Sequence, residues 1–149
     1  QKEKGLCINA YVIMSNHIHL ICHVKEPFFL SDVIRDFKKF TSKAILEMIL
    51  TSDKESRKEW MIRLFKYYAK YSKNNKDYQF WQQDNKPIEL ESPKWIIQKL
   101  NYIHLNPVRN GIVLEAEDYV YSSARTYTGR SGYIDIEKIE LDNIAGYVS

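Results

Sequence analysis

The chain has 149 residues, 44% of them hydrophobic, which is enough for one globular domain with a buried core. Its two cysteines are too few for a disulfide framework, and it has no apolar run of the roughly 18 residues that suggest a membrane span, so neither a disulfide-rich nor a membrane-spanning protein is expected. We therefore expect a single domain, residues 1–149, in the cytoplasm, whose formal charge of +3 permits nucleic-acid binding without arguing for it.

Two strand-length apolar runs, residues 7–14 and 17–24, come almost at the start of the chain. Only Ser15 and Asn16 separate them, and this spacing suits a tight β-hairpin turn. The sequence therefore predicts a β-hairpin.

The predicted turn fixes which residues pair across the hairpin, with Met14 beside His17 and Val12 beside His19. One face is then expected to carry Ile8, Ala10, Val12, Met14, His17, His19, Ile21 and His23. The opposite face is expected to carry Tyr11, Ile13, Ile18, Leu20 and Val24. Because both faces are largely apolar, we expect helices on both sides of the sheet.

Two amphipathic helices are predicted after the hairpin. The first has Ser31 as its N-cap and helically spaced apolar residues at Val33, Ile34, Phe37, Phe40, Ala44, Ile45 and Met48. Its other side carries Arg35, Lys39 and Lys43. The second begins near Asp53, buries Trp60, Met61, Leu64, Phe65 and Tyr68, and presents a basic stripe of Arg63, Lys66, Lys70 and Lys73.

Positive charge is concentrated in these two helices. Residues 35–76 contain twelve Lys and Arg against five acids, a net charge near +7, whereas the rest of the chain is net acidic. Such a surface suits binding to DNA phosphates, with Tyr67 or Tyr71 available for base stacking. A merely solvated face is an equally good interpretation for any one of these residues.

Less regular structure is expected next. The polar stretch 72–77 ends the second helix, and the aromatic, partly alternating stretch 78–91 predicts a strand or an extended loop. Ser92 and Pro93 are a strong helix start, and the helix should end by about Asn106 because Pro107 disfavours helical geometry before it. A short helix near 119–127 and an acidic tail complete the chain.

His17 and His19 are candidate metal ligands. Residues two apart in a strand point the same way, with Cα atoms about 6 to 7 Å apart, so that both imidazoles can share one ion. Taken alone, this motif more often consists of two ordinary histidines on a polar face, and the apolar neighbours of His17 and His19 strengthen the case for a metal. His23 has the same parity and is expected to be structural or exposed.

Tyr102 lies outside the apolar stripe of the helix that follows Ser92. At about 100° per residue, that stripe comprises Ile96, Ile97, Leu100 and Ile103, whereas Tyr102 is well over 90° from its centre. His104 falls near the edge of the core and is expected to be structural. Because an amphipathic surface tyrosine would show the same pattern, position alone cannot identify a nucleophile.

The segments YVIMSNHIHLI (residues 11–21) and YIHLNPVRNGIV (residues 102–113) resemble the two hallmark segments of the IS200-like transposases. The closer likeness is to their REP-associated tyrosine transposase branch. TSKAI (41–45), FWQQ (80–83) and YSSARTY (121–127) also resemble family segments, so the likeness extends through most of the chain.

This resemblance implies an α+β fold in which an antiparallel sheet is flanked by α-helices, as in the ferredoxin-like core of HUH endonucleases. The histidine motif is expected on a central strand, with the tyrosine helix crossing near it. A further strand and helix are expected before Gln1, so we expect an N-terminally truncated chain.

The resemblance also implies the roles of residues. His17 and His19 are the metal ligands, the metal is Mg²⁺ or Mn²⁺, and Tyr102 is the nucleophile that forms a 5′-phosphotyrosine linkage and leaves a free 3′-OH. Related enzymes have a glutamine as third ligand one helical turn after the tyrosine, and here that position is Asn106, a shorter amide. Two imidazoles alone would equally suit zinc, so the identity of the metal rests on the resemblance.

We accordingly expect a DNA transposase or endonuclease acting on single-stranded or hairpin DNA at repeats, as a monomer or a homodimer. The candidate DNA-binding residues are Arg35, Lys39, Lys43, Arg63, Lys66, Lys70 and Arg109. Arg109 suits either a phosphate contact or a cap on the preceding helix. Two alternatives stay open: a domesticated DNA-binding protein that does not cleave, and a metal-dependent hydrolase that uses the histidines without the tyrosine.

Overall fold

The computed structural model describes residues 3–73, 77–83 and 85–140. The chain divides into two compact units, one formed by Gln1–Leu30 with Ile88–Ser149 and the other by Ser31–Pro87. The predicted α+β class is confirmed, since the described residues form a two-stranded antiparallel sheet together with helices. None of the helices in these ranges has the length and apolar character needed to cross a membrane.

The first unit is built on the predicted hairpin. Strand β1 spans Leu6–Ile13 and strand β2 spans Ile18–Val24. The backbone N–H of Met14 donates to the carbonyl of His17 at 2.9 Å, closing the turn. Val12 pairs with His19, as the turn at Ser15 and Asn16 predicts. Within the described residues, β2 pairs with β1 alone, so the expected central position of the histidine strand is not observed.

The predicted pairing is wrong on the N-terminal side of Ala10, because β1 contains an irregularity between Ile8 and Ala10. One extra residue at Asn9 shifts the register, so Ile8 pairs with Cys22 and Cys7 pairs with His23. Such a bulge reverses which face each later side chain occupies. Cys7, and not Ile8, is therefore the neighbour of His23.

Helix α3 spans Pro93–His104 and packs on the hairpin. It starts as predicted, with the side chain of Ser92 accepting a hydrogen bond from the backbone N–H of Trp95. It ends at His104, before the predicted limit of Asn106. A single further turn, α4, spans Asn106–Arg109 and has Pro107 near its start.

The apolar stripe of α3 covers the sheet face that carries the two histidines. Ile103 forms a buried cluster with Val12 and Met14, and Ile21 and Tyr119 pack against it. Leu100 is completely buried on the same helix. The core of this unit therefore holds the tyrosine helix against the histidine strand.

The segment after α4 returns to the free edge of β1. A 3₁₀ turn at Ala116–Asp118 leads into a bridge between Ser122 and Val12. The N–H of Ser123 donates to the carbonyl of Tyr11 at 2.9 Å. The helix predicted for 119–127 is consequently shorter: α5 spans only Ala124–Tyr127, because the preceding residues satisfy their backbone groups against β1.

His104 is structural, as expected, but lies in the core and not at its edge. It is 1% exposed, and its Nε2 lies 2.8 Å from Ser123 Oγ. Burial lowers the pKa of His104 from 6.5 to about 4, because the charged imidazolium is poorly solvated there.

This buried histidine predicts a loss of stability in acid. Between pH 6.5 and 4 the unfolded chain binds a proton that the folded chain excludes, so stability falls as pH falls through this window. From pH 7.5 to 4 the contribution is about 3 kcal/mol of unfolding free energy. Urea unfolding of the wild type and of His104→Gln, whose amide replaces Nε2, measures it. If both proteins lose the same unfolding free energy between pH 7.5 and 4, His104 is not the cause of the loss. His23→Gln, at an exposed site, serves as the control.

The second unit consists of two helices and an irregular segment. Helix α1 spans Leu30–Thr51, so Ser31 lies inside it and is not its cap. Helix α2 spans Lys58–Ala69, and it begins later than the predicted Asp53 because bends and a turn occupy residues 53–57. The prediction that α2 buries Trp60 and Tyr68 is wrong, since these side chains are 61% and 51% exposed.

The irregular segment packs on these helices through its aromatic residues. Trp81 Nε1 donates to Thr41 Oγ1 at 2.9 Å, and the Phe80 ring lies 5.3 Å from that of Phe65. Its described residues, 77–83 and 85–91, contain no strand, so the extended-loop alternative is the correct one. Residues 74–76, in the polar stretch predicted to end the second helix, lie outside the described residues.

Candidate active site

The two histidines of the motif lie side by side at the start of β2. His17 immediately precedes the strand and His19 is its second residue. Their ring centroids are 4.9 Å apart. Alternation along the extended backbone thus puts both imidazoles on one face, close enough to bind one ion.

Asn16 determines which nitrogen of His17 is available. His17 Nδ1 lies 2.7 Å from Asn16 Oδ1, and because an amide oxygen only accepts, Nδ1 carries the proton in this arrangement. The Nε2 lone pair is then the available ligand. This is the usual way in which a neighbouring acceptor orients a metal-binding imidazole.

His19 is favoured in its neutral form. Partial burial, followed by the charges of His17 and Lys99, lowers its pKa. Because only a neutral imidazole coordinates a metal, a lowered pKa keeps His19 competent to bind at a lower pH than an unperturbed histidine.

Tyr102 is brought to these histidines by α3. Its neighbour Ile103 is buried in the core, whereas Tyr102 projects from the helix with 43% of its surface exposed. The Tyr102 ring centroid lies 5.3 Å from that of His19. Residues far apart in the sequence therefore form one cluster with a solvent-accessible phenol.

Arg109 contacts the same tyrosine. Its guanidinium carbon lies 5.7 Å from the centroid of the Tyr102 ring, within the range of a cation–π contact. The short helix α4 folds this arginine back over α3. A cation thus lies over the ring of the exposed tyrosine.

Asn106, the first residue of α4, is held in a fixed orientation by hydrogen bonds. It is 6% exposed, and Asn110 Nδ2 donates both to its Oδ1 at 3.0 Å and to its backbone carbonyl at 2.8 Å. The side-chain oxygen has a second lone pair for another partner. Asn106 therefore offers at most one free acceptor site.

The donor atoms present fit part of a divalent metal site. Two neutral imidazoles supply two ligand positions, and the exposure of Tyr102 beside them leaves room for phosphate oxygens. Among the described residues, no cluster of three or more His, Cys, Asp and Glu side chains includes this pair. Within those ranges, a third protein ligand beside this pair would be of another residue type.

The remaining candidate residues belong to the second unit. Lys39, Lys43, Arg63, Lys66 and Lys70 are exposed. Arg35 is also exposed, but it forms ion pairs with Asp32 and Asp36, which compete for its charge. The exposed rings of Tyr67 and Tyr71 lie 5.2 Å apart beside the basic residues of α2.

Sequence patterns did not assign roles to Asn16 and Lys99. Asn16 was a turn residue only, although an amide next to a candidate ligand is a signal for an orienting hydrogen bond. Lys99 lies one turn before Tyr102 on the same side of α3, so its position near the cluster was open to inference.

Comparison with known proteins gave one match. The family model described as "Transposase IS200 like" matches residues 1–79, a range that contains both histidines and both helices of the second unit but not Tyr102. No curated protein and no solved structure matched the chain significantly.

Proposed function

The chain belongs to the IS200-like transposase family, and on this premise we propose that it cleaves and rejoins DNA, with Tyr102 as nucleophile and His17 and His19 as ligands of a divalent metal. The observation that carries the proposal is the three-residue cluster itself, with ring centroids 4.9 Å and 5.3 Å apart. An exposed tyrosine without a catalytic role would not require two adjacent histidines next to its ring.

The chemistry follows from the charge of the substrate. A phosphodiester resists attack because its oxygens are anionic. A Mg²⁺ or Mn²⁺ ion held by His17 and His19 would supply charge that neutralises these oxygens and orients the phosphate. Tyr102 Oη loses its proton and attacks phosphorus as the bond to the 3′ oxygen breaks. A 5′-phosphotyrosine linkage forms, and the departing oxygen takes a proton to become a free 3′-OH. The linkage keeps the bond energy for strand transfer.

Two cations of the chain support this step. Arg109, over the Tyr102 ring, is within reach of a phosphate bound beside that ring. Lys99 acts electrostatically on His19 and adds, after burial and His17, to the lowering of the His19 pKa. Both lie on the tyrosine side of the cluster, where negative charge develops during attack.

We propose Asn106 as a third ligand through the free lone pair of its side-chain oxygen. Asn110 orients that amide, as outer hydrogen bonds commonly do for ligating groups. The amide is shorter than a glutamine, and its burial restricts its reach. An alternative is a site completed by substrate and water oxygens alone.

The proposed substrate is single-stranded or hairpin DNA at short repeats, following the likeness to the REP-associated branch. One experiment separates this function from the two alternatives. The chain is incubated with a labelled hairpin oligonucleotide and Mn²⁺ and then run on a denaturing gel. A covalent adduct supports the transposase, binding without cleavage supports a domesticated DNA-binding protein, and cleavage without an adduct supports a hydrolase.

The basic helices of the second unit are proposed to bind the DNA backbone. Exposed lysines and arginines neutralise phosphates, and the adjacent exposed rings of Tyr67 and Tyr71 suit stacking with unpaired bases. Arg35 should contribute less than its neighbours, because Asp32 and Asp36 already pair with it.

Removing charge from α2 is expected to reduce the salt dependence of DNA binding. The slope of log K against log salt falls by about one unit for each phosphate that is no longer neutralised, so Arg63, Lys66 and Lys70 changed together to Ala should lower it by up to about three. Fluorescence anisotropy with a labelled oligonucleotide at several salt concentrations measures the slope. The control triple variant of Lys54, Lys86 and Lys138, all exposed, removes the same charge from dispersed sites. If both variants give the wild-type slope, the α2 stripe is only solvated.

A further inference from the structure

A second cluster of possible metal ligands lies at the far end of the hairpin from the turn. Cys7 Sγ, a ring nitrogen of His23 and a carboxylate oxygen of Glu137 all lie within 4.8 Å of one another. Among the described residues, this is the one group of three or more His, Cys, Asp and Glu side chains so arranged. None of the three takes part in the proposed DNA chemistry.

The irregularity in β1 is what brings Cys7 to His23. Without the extra residue at Asn9, the hairpin register would place Ile8 opposite His23 and turn Cys7 to the other face. With it, Cys7 and His23 are cross-strand partners. The backbone N–H of Glu137 donates to the carbonyl of Ile8 at 2.9 Å, and this bond brings the carboxylate to the same place.

Asn9 orients both His23 and Glu137. Its Nδ2 donates to the backbone carbonyl of Glu137 at 2.9 Å, which leaves its Oδ1 to accept from His23 Nδ1, 3.2 Å away. The proton on Nδ1 leaves Nε2 of His23 with a free lone pair toward Glu137. A hydrogen bond of this kind to the non-ligating nitrogen is a regular feature of metal-binding histidines.

Lys25 orients the carboxylate in turn. Its ammonium lies 3.0 Å from Glu137 Oε1, so the other oxygen, Oε2, is directed to His23 Nε2 at 3.9 Å. Two ligands on a tetrahedral zinc are about 3.4 Å apart, given zinc–nitrogen and zinc–oxygen bonds near 2.1 Å. Because the side chains of His23 and Glu137 are 53% and 52% exposed, they can close this difference without disturbing the core.

We propose that Cys7, His23 and Glu137 form a zinc-binding site, with Asn9 and Lys25 as positioning residues. A thiolate, an imidazole and a carboxylate are the three ligand types that zinc takes in proteins, and the thiolate disfavours Mg²⁺. The exposed side of the cluster leaves the fourth tetrahedral position to water. The ion would link β1 to the segment that contains Glu137, which is remote in sequence, and so stabilise that connection.

Cobalt is a suitable probe, because it substitutes for zinc and reports thiolate coordination by a near-ultraviolet charge-transfer band. The full chain titrated with Co²⁺ is expected to show this band, and added Zn²⁺ should displace it. Cys7→Ser should abolish the band. Cys22→Ser, which changes the other cysteine, should retain it, and Asn9→Ala should weaken Co²⁺ binding about 10- to 100-fold.

The double variant His17→Ala, His19→Ala should also retain the band, because those residues contribute no thiolate. This makes the zinc site independent of the proposed transposase function, whose failure would leave the band unaffected. Absence of the band in the folded wild-type chain, or its persistence in Cys7→Ser, would overturn the proposal. Circular dichroism of each variant establishes that it is folded.

Discussion

Tyr102→Phe is expected to abolish the covalent protein–DNA adduct while leaving the fold and DNA affinity nearly unchanged. The substitution removes the attacking oxygen, and no other group of the cluster supplies a phenol. Because the Tyr102 side chain is 43% exposed and outside the apolar stripe of α3, unfolding free energy should change by no more than about 0.5 kcal/mol. A radiolabelled hairpin oligonucleotide with Mg²⁺ or Mn²⁺, followed by a denaturing gel, measures the adduct.

Tyr121→Phe is the matched control, since Tyr121 is 52% exposed in the same unit. It should form the adduct at the wild-type level. If Tyr102→Phe still forms the adduct, another tyrosine is the nucleophile. If the unaltered full-length protein never forms it, the non-cleaving DNA-binding function replaces the transposase.

His17→Ala and His19→Ala should each lose Mn²⁺ binding at the active site and reduce cleavage by at least about a hundredfold. The reason is that a metal ion contributes several kcal/mol of charge stabilisation to phosphoryl transfer, and a single remaining imidazole is a weak ligand. Isothermal titration with Mn²⁺ measures binding, and the hairpin assay measures cleavage. Tyr102→Phe should bind Mn²⁺ normally, so the two kinds of inactive variant differ in metal affinity.

His23→Ala is the control for cleavage by these variants, because His23 lies near the other end of β2, away from the cluster with Tyr102. Normal cleavage by His17→Ala or His19→Ala would contradict the metal-ligand assignment.

Mixing Tyr102→Phe with His17→Ala tests whether Tyr102 acts within its own chain. The 5.3 Å between the Tyr102 and His19 rings favours action in cis, so the mixture should stay inactive, and recovered activity would indicate a dimer that exchanges its tyrosine helices.

Features that depend on a few neighbouring residues were predictable from the sequence. The two-residue turn set the pairing of Val12 with His19, and Ser92 with Pro93 set the start of α3. Strand alternation placed His17 and His19 together, and helical periodicity placed Tyr102 outside the core. Tyr102 as nucleophile needed the family resemblance, because periodicity does not distinguish a catalytic tyrosine from a surface one.

Features that depend on contacts between distant segments were decided only by the tertiary structure. The bulge at Asn9 changed the partner of His23 from Ile8 to Cys7, although no glycine marks it in the sequence. Pairing of Ser122 and Ser123 with β1 shortened the last helix, because backbone groups at a free strand edge are satisfied by whichever segment reaches them.

The same distinction applies to both clusters of side chains. The sequence by itself determined that His17 and His19 share a face and that Tyr102 lies outside the core. The reason is that backbone geometry repeats every two residues in a strand and every 3.6 residues in a helix. Only packing of Ile103 on Val12 and Met14 decided that the tyrosine meets the histidines. Only the segment that returns to the edge of β1 decided that Glu137 meets Cys7 and His23, because apolar burial and backbone pairing act between residues that no local pattern connects.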